Sequence, residues 1–319
     1  MTHIQTPTDV FRVEYLEVDK FMKEQLKVFW TADEIQVEKD IHDILTNCTE
    51  AERHGIFTVL KLFTLYELRA GADYWTDRFM KSFPRHELQA MGAAFGMMEL
   101  CVHKPFYNKI NELLNATNDQ FYTDYVNNPI LKERMEHIDE IISDDDDLVS
   151  LAGFSMVEGV ILYSSFAFLK HFQSLGKNKL VNIVRGINFS VRDENLHSIA
   201  GAYVFRELLF QSNREFNEEL ISKINKIKSK IYEHECAIID MIFEKGEIDG
   251  ISSNQLKRFV WSRLSICLEN LGMESIEVES GNSIADWFYK GINNYQFNDF
   301  FTGQGREYTR DWSEEKFTW

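Results

Sequence analysis

Apolar residues recur every three to four positions through most of the chain. The pattern runs through DEIQVEKDIHDIL, HGIFTVLKLFTLYELRAGADYW, HELQAMGAAFGMMELCVH, DLVSLAGFSMVEGVILYSSFAFLKHF, LVNIVRGINFSVRDENLHSIAGAYVFRELLF and EELISKINKIKSKIYEHECAIIDMIF. This is the stripe spacing of helices, and no stretch sustains the period-two alternation of a half-buried strand. Helix-ending sequence separates the segments at SFPRH, NNPI, SDDDD and SLGKN. With only 4 Pro and 16 Gly in 319 residues, the pattern predicts one mostly helical, all-α domain. There is no internal repeat and no low-complexity linker.

Composition narrows the function classes. A hydrophobic share of 44% with 25 Phe supplies a wide core and excludes a disordered chain. The formal charge of -17 argues against a nucleic-acid partner, because phosphate contacts need clustered Lys and Arg. No apolar run approaches the ~20 residues that span a bilayer, and MTHIQTPTDVFRVEY lacks the basic end and apolar segment of a signal peptide. A cytoplasmic protein without a membrane partner is expected. Cys48, Cys101, Cys236 and Cys267 form no CxxC pair, so reduced and mostly buried thiols are expected.

The candidate chemistry lies where acids interrupt apolar helices: Glu67 in LFTLYELRAG, Glu99 in GMMELCVHKPFY, Glu158 in FSMVEGVILYSSF and Glu194 in VRDENLHSIAG. An isolated carboxylate in a low-dielectric core is costly unless a cation or polar network compensates it. Two of the four have a histidine on the same helix face, His103 four residues after Glu99 and His197 three after Glu194. One Glu from each of two helices, plus a Glu and a His from each of two others, is the set with which four-helix bundles hold two carboxylate-bridged ions. The usual spacing in that motif is three, so the Glu99 to His103 interval is a departure, and a local π-bulge near Leu100 to Val102 is one way to absorb the extra residue. Asp144 to Asp147 read instead as acids at a helix start, where the dipole favours them. His137 and His171 fit no ligand pattern.

At these residues the sequence resembles the small, radical-generating subunit of class I ribonucleotide reductase. FWTADEI, ELCVHKPFY, SMVEGVILYSSFAF, VRDENLHS and NDFFTGQGREYT are similar to that family's segments, and the likeness covers nearly the whole chain. It implies a ferritin-like helical bundle with additional helices, a homodimer, and two metal ions per chain held by Glu67, Glu99, His103, Glu158, Glu194 and His197. It further implies Tyr107 at the radical-tyrosine position, and a path for the oxidising equivalent through Asp193 and Trp30 to Tyr308. Leu162 and Phe166 would keep water from a radical. Glu67 stands where many members have Asp, which, with Tyr107 retained, is most similar to the dimanganese branch (class Id); di-iron and manganese–iron remain open, since carboxylate-rich sites suit either metal.

The implied organisation is a di-metal domain over 1–295 and a flexible tail over 296–319 that docks on the large subunit. Trp30 comes too early in the chain for a preceding ATP-binding module, and no glycine-rich phosphate loop occurs. Substrate and allosteric sites are therefore expected on the large subunit, with nucleotide reduction as the joint activity. A ferritin-like di-metal oxidase or iron store would share the six ligands but leaves REYTRDWSEEKFTW and Trp30 unexplained.

Overall fold

The computed structural model describes residues 2–116 and 126–289, and Tyr308 and the rest of the expected tail lie outside them. Ten helices carry the described fold: α1 Leu16–Lys27, α2 Glu50–Leu68, α3 His86–Met98, α4 Lys104–Leu113, α5 Pro129–Ser143, α6 Asp147–Val160, α7 Tyr163–Lys170, α8 Val181–Gln211, α9 Glu218–Ile242 and α10 Ser253–Leu271. No strand occurs among the described residues; one isolated bridge joins Ile248 and Ile251.

Local chemistry sets the helix starts. Thr49 and Glu52 cap α2 reciprocally, the Thr49 hydroxyl accepting from the Glu52 N–H at 3.1 Å and the Glu52 carboxylate from the Thr49 N–H at 2.7 Å. The acidic run does what its position predicts. Asp146 accepts the Leu148 N–H at 3.0 Å to open α6, and it pairs with Arg214, while Asp147 pairs with Arg78.

α6 and α8 form the centre and pack extensively on each other. Every residue of α6 from Leu148 to Val160 is buried. Gly159 makes the close approach feasible, since a Cβ there would stand 2.4 Å from Cys267 Sγ and 2.5 Å from Ser198 Oγ. The stretch Asp147–Gln173 is long and apolar enough to cross a membrane, contrary to the expectation that no such run exists. It is wholly buried in the protein, so its apolarity is that of a core helix. Nor is it one helix: it breaks at Ile161 and Leu162. Arg134 Nη2 takes the Ile161 carbonyl at 2.9 Å and Arg263 Nε that of Gly159 at 3.0 Å. Two guanidinium groups from distant helices satisfy backbone acceptors around the break.

The second departure from ideal helix is π-helical. α2 runs without interruption into a wide-turned stretch Arg69–Phe79, and α3 joins α4 through Glu99–His103, where the Lys104 N–H reaches back to the Glu99 carbonyl. That turn holds the expected bulge. These two of the three described π-segments pack against each other at Gly71, where a Cβ would stand 2.6 Å from Leu100 Cγ and 2.9 Å from Glu99 Cβ. Of the cysteines, only Cys48 and Cys267 are buried; Cys236 is half-buried and Cys101 exposed. The outward face of the π-turn carries Cys101, which corrects the expectation of mostly buried thiols.

Candidate metal centre

α2, the Glu99–His103 turn, α6 and α8 bring all six predicted side chains together, and all are buried. They form two overlapping groups, Glu67, Glu99, His103 and Glu194, and Glu99, Glu158, Glu194 and His197, each with one ligand atom per residue within 4.8 Å of the others. Glu99 and Glu194 belong to both groups, so they are placed to bridge. His103 Nδ1 lies 2.9 Å from Glu99 Oε2, 3.3 Å from Glu194 Oε1 and 3.7 Å from Glu67 Oε2. His197 Nδ1 lies 2.7 Å from Glu99 Oε1 and 3.9 Å from both Glu158 Oε2 and Glu194 Oε2. The π-turn lets Glu99 and His103, four apart, meet on one side.

No Lys or Arg among the described residues pairs with the four carboxylates; their only ionic neighbours are the two histidines. Burial, then repulsion from Glu99, pushes the Glu67 carboxyl well up and the Glu194 carboxyl to about 8. Burial and then Glu194 do the same to Glu158. Burial works against Glu99 as well, yet His103 and the other groups around it hold its carboxyl well below the usual range. Both oxygens of Glu67 and of Glu194, Glu99 Oε1 and His197 Nδ1 have no hydrogen-bond partner. Buried polar atoms are rarely left so. Unpaired oxygens and an imidazole nitrogen converging from α2, the Glu99–His103 turn and α8 fit two divalent cations, which would supply the missing positive charge.

The far sides of the histidines are fixed. Asp193 Oδ2 accepts from His103 Nε2 at 3.1 Å and from Trp30 Nε1 at 2.8 Å. Burial raises the Asp193 carboxyl, but Arg192, His103 and Trp30 outweigh it and hold it low. Gln25 donates to Asp193 Oδ1 at 3.2 Å, and its Oε1 faces His197 Nε2 at 3.0 Å. Each imidazole thus turns Nδ1 toward the carboxylates, the outer contacts setting tautomer and ring orientation. Trp30 is fully buried, its ring 5.8 Å from that of His103.

Tyr107 is buried with its hydroxyl donating to Ser190 Oγ at 3.0 Å. Its ring stacks on Phe63 at 4.2 Å, and Phe63 on Phe166 at 5.5 Å. Leu162 is buried. His171 is a core residue bonded to the Phe168 carbonyl, and His137 pairs with Glu140.

Sequence reasoning missed Gln25, Ser190, Phe63 and the donors to Glu158: Trp75 Nε1 at 2.6 Å and Tyr66 OH at 3.1 Å. Tyr66 precedes a ligand, which was a usable signal. Trp75 sits in the π-stretch, whose width no sequence pattern announced.

Comparison with known proteins agrees with this geometry. The family described as ribonucleotide reductase, small chain, matches residues 7–276. The ribonucleoside-diphosphate reductase subunit beta of Halalkalibacterium halodurans is 27% identical over 307 residues, covering 90% of this chain and 84% of that protein. The small chain 1 of Saccharomyces cerevisiae is 25% identical, covering 91% and 73%. Among solved structures, dimanganese(II)-NrdF of Streptococcus sanguinis shares the fold with a TM-score of 0.77 at 21% identity, covering 90% of this chain and 99% of that one. The R2 subunit from Clostridium botulinum gives 0.77 at 19%, covering 88% and 89%. With the family matched over most of its length and the expected side chains gathered in one buried centre, this chain belongs to the ribonucleotide reductase small chain family.

Proposed function

We propose that the chain generates and stores a one-electron oxidising equivalent for ribonucleotide reduction, and hands it to a large catalytic subunit. One observation carries the reading: two four-residue groups share Glu99 and Glu194, and one of their histidines is hydrogen-bonded through Asp193 to buried Trp30. When bound, two redox-active ions would supply the oxidising power. Glu67, Glu99, His103, Glu158, Glu194 and His197 would hold them, and Asp193 and Gln25 would orient the histidines. Manganese is the metal we favour, because Glu67 makes the set rich in carboxylate and the Streptococcus sanguinis neighbour is a dimanganese(II) protein. Oxygen ligands suit manganese well.

In this reading residues 296–319 form a tail that docks on the large subunit, with Tyr308 as relay and Trp312, Phe317 and Trp319 as apolar anchors. A homodimer in the cytoplasm completes it. The test is electron paramagnetic resonance and metal analysis after growth in manganese-rich and iron-rich media, on the wild type, Tyr107→Phe and Tyr308→Phe. Manganese storage predicts that Tyr107→Phe keeps a metal signal and substantial nucleotide reduction. Loss of an organic radical together with turnover would assign the oxidising equivalent to Tyr107 instead. Tyr308→Phe should keep metal and large-subunit binding while reduction falls to background; normal turnover would remove Tyr308 from the path.

A further inference from the structure

Arg263, in α10, is buried, and every contact it makes among the described residues is to a neutral group. Nε donates to the Gly159 carbonyl at 3.0 Å, Nη2 to Asn195 Oδ1 at 3.4 Å and Nη1 to Tyr289 OH at 3.1 Å. Its Cζ stands 4.0 Å from the centroid of the Tyr163 ring. Two of these partners have telling positions. Gly159 directly follows Glu158, and Asn195 directly follows Glu194.

The third partner lies at the other end of the chain. Tyr289 lies in a helical segment described over 283–289 and is the last described residue before the C-terminal stretch. The same place is held by a second buried cation, since Lys170 Nζ donates to the Phe288 carbonyl at 2.8 Å and lies 4.3 Å from the centroid of the Phe288 ring. A guanidinium is a rigid planar fork, so fixing one of its nitrogens constrains where the others point. With no carboxylate to hold it, the direction of Arg263 is set by those three acceptors and one ring.

We propose that Arg263 is a positioning residue that couples the start of the C-terminal segment to both central ligand-bearing helices. When the segment beyond Tyr289 is drawn onto a partner, the pull on the Tyr289 hydroxyl turns the guanidinium. That turn shifts the Gly159 carbonyl and the Asn195 side chain, next to Glu158 and Glu194. Metal loading acts in the reverse direction through the same contacts, because coupling between two sites is reciprocal. The partner half of this inference rests on the tail reading above; the metal half does not.

The test titrates Mn(II) alone into the metal-free full-length chain and reads free Mn(II) by its electron paramagnetic resonance signal. Arg263→Lys should weaken binding about tenfold, the range for groups that orient ligands from outside. Tyr289→Phe, which keeps the ring, should weaken it about fivefold. The double variant should match Arg263→Lys rather than multiply the two effects, because both changes cut one path. A merely structural role would lower the melting temperature of the metal-free chain and leave Mn(II) affinity alone. Should Arg263→Lys not fold, Tyr289→Phe decides by itself: wild-type affinity in that variant overturns the proposal, and a wild type that binds no Mn(II) overturns it together with the metal centre. In the second arm, metal-loaded wild type should bind the large subunit about fivefold more tightly than metal-free, with no difference in Tyr289→Phe. Equal binding by both wild-type forms overturns the coupling to the partner. No binding by either form overturns the tail reading, and the Mn(II) titration still judges Arg263.

Discussion

Two regions on either side of α6 and α8 bury charge with opposite deficits. On one side Glu67, Glu99, Glu158 and Glu194 crowd together with no Lys or Arg against them among the described residues. On the other, Arg263 and Lys170 are buried with no carboxylate against them among the described residues. The cationic side holds its charges without a counter-ion, because carbonyl dipoles and ring faces meet the guanidinium and the ammonium. The anionic side does not, because both oxygens of Glu67 and of Glu194 and Glu99 Oε1 have no donors to meet. A fold that gives these two buried cations built-in acceptors while leaving six ligand atoms unpartnered keeps that place for something exchangeable.

The sharpest way to break this contrast is Glu194→Ala, since Glu194 belongs to both ligand groups. Metal content per chain should collapse, with affinity falling by at least about 100-fold, beyond the range for outer groups. Circular dichroism should still report an intact helical fold. Glu158→Ala, which touches one group only, should lose less. Full metal content in both variants would remove the anionic half of the comparison.

Next in size is Gln25→Leu. Removing the acceptor facing His197 Nε2 frees the ring to turn, so metal affinity should fall about tenfold while Trp30 keeps its bond to Asp193. Unchanged affinity in a metal titration would mean that the packing of Phe95, whose ring centroid is 4.2 Å from that of His197, suffices to hold it.

The ease of reading each half differed for a physical reason. Ligand carboxylates are conspicuous because acids in apolar helices violate the burial pattern, and the resemblance then supplied their order. Gln25 follows buried Val18 and Phe21 by seven and four residues, so its helix face was legible, but a neutral amide does not break the burial pattern as an acid does and its role stayed hidden. The break after Val160 was equally hidden, since Ile161 and Leu162 carry no local breaker; Arg134 and Arg263, distant in sequence, meet the carbonyls around it. Trp75 escaped because α-periodicity does not describe a π-stretch. The segment beyond 289 stays a reading of sequence alone.

The smallest effect tests the cationic side. Burial pushes the Lys170 ammonium down to about 7, whereas an unfolded lysine keeps its proton to about 10.4. Between those values the unfolded chain binds more protons, so this group makes stability rise with pH across that window. Lys170→Met should remove that rise, seen as a flatter plot of melting temperature between pH 7 and pH 10, by roughly 3 °C or more. An unaltered slope would show that Lys170 does not hold its charge unpaired.

The Glu99–His103 turn carries one more meaning, for changes in chain length. A wide turn is an ordinary helix that has taken in one residue without rotating what flanks it, and here the surplus bulges outward at Cys101. Deleting Cys101 should therefore narrow the turn and leave α3 and α4 facing as they do. Deleting a single residue one turn earlier, within α3, would rotate half of that helix by about 100° and carry Gly96 off its contact with the Arg69–Phe79 stretch. Length is negotiable at that turn and not within the α-helical turns on either side of it.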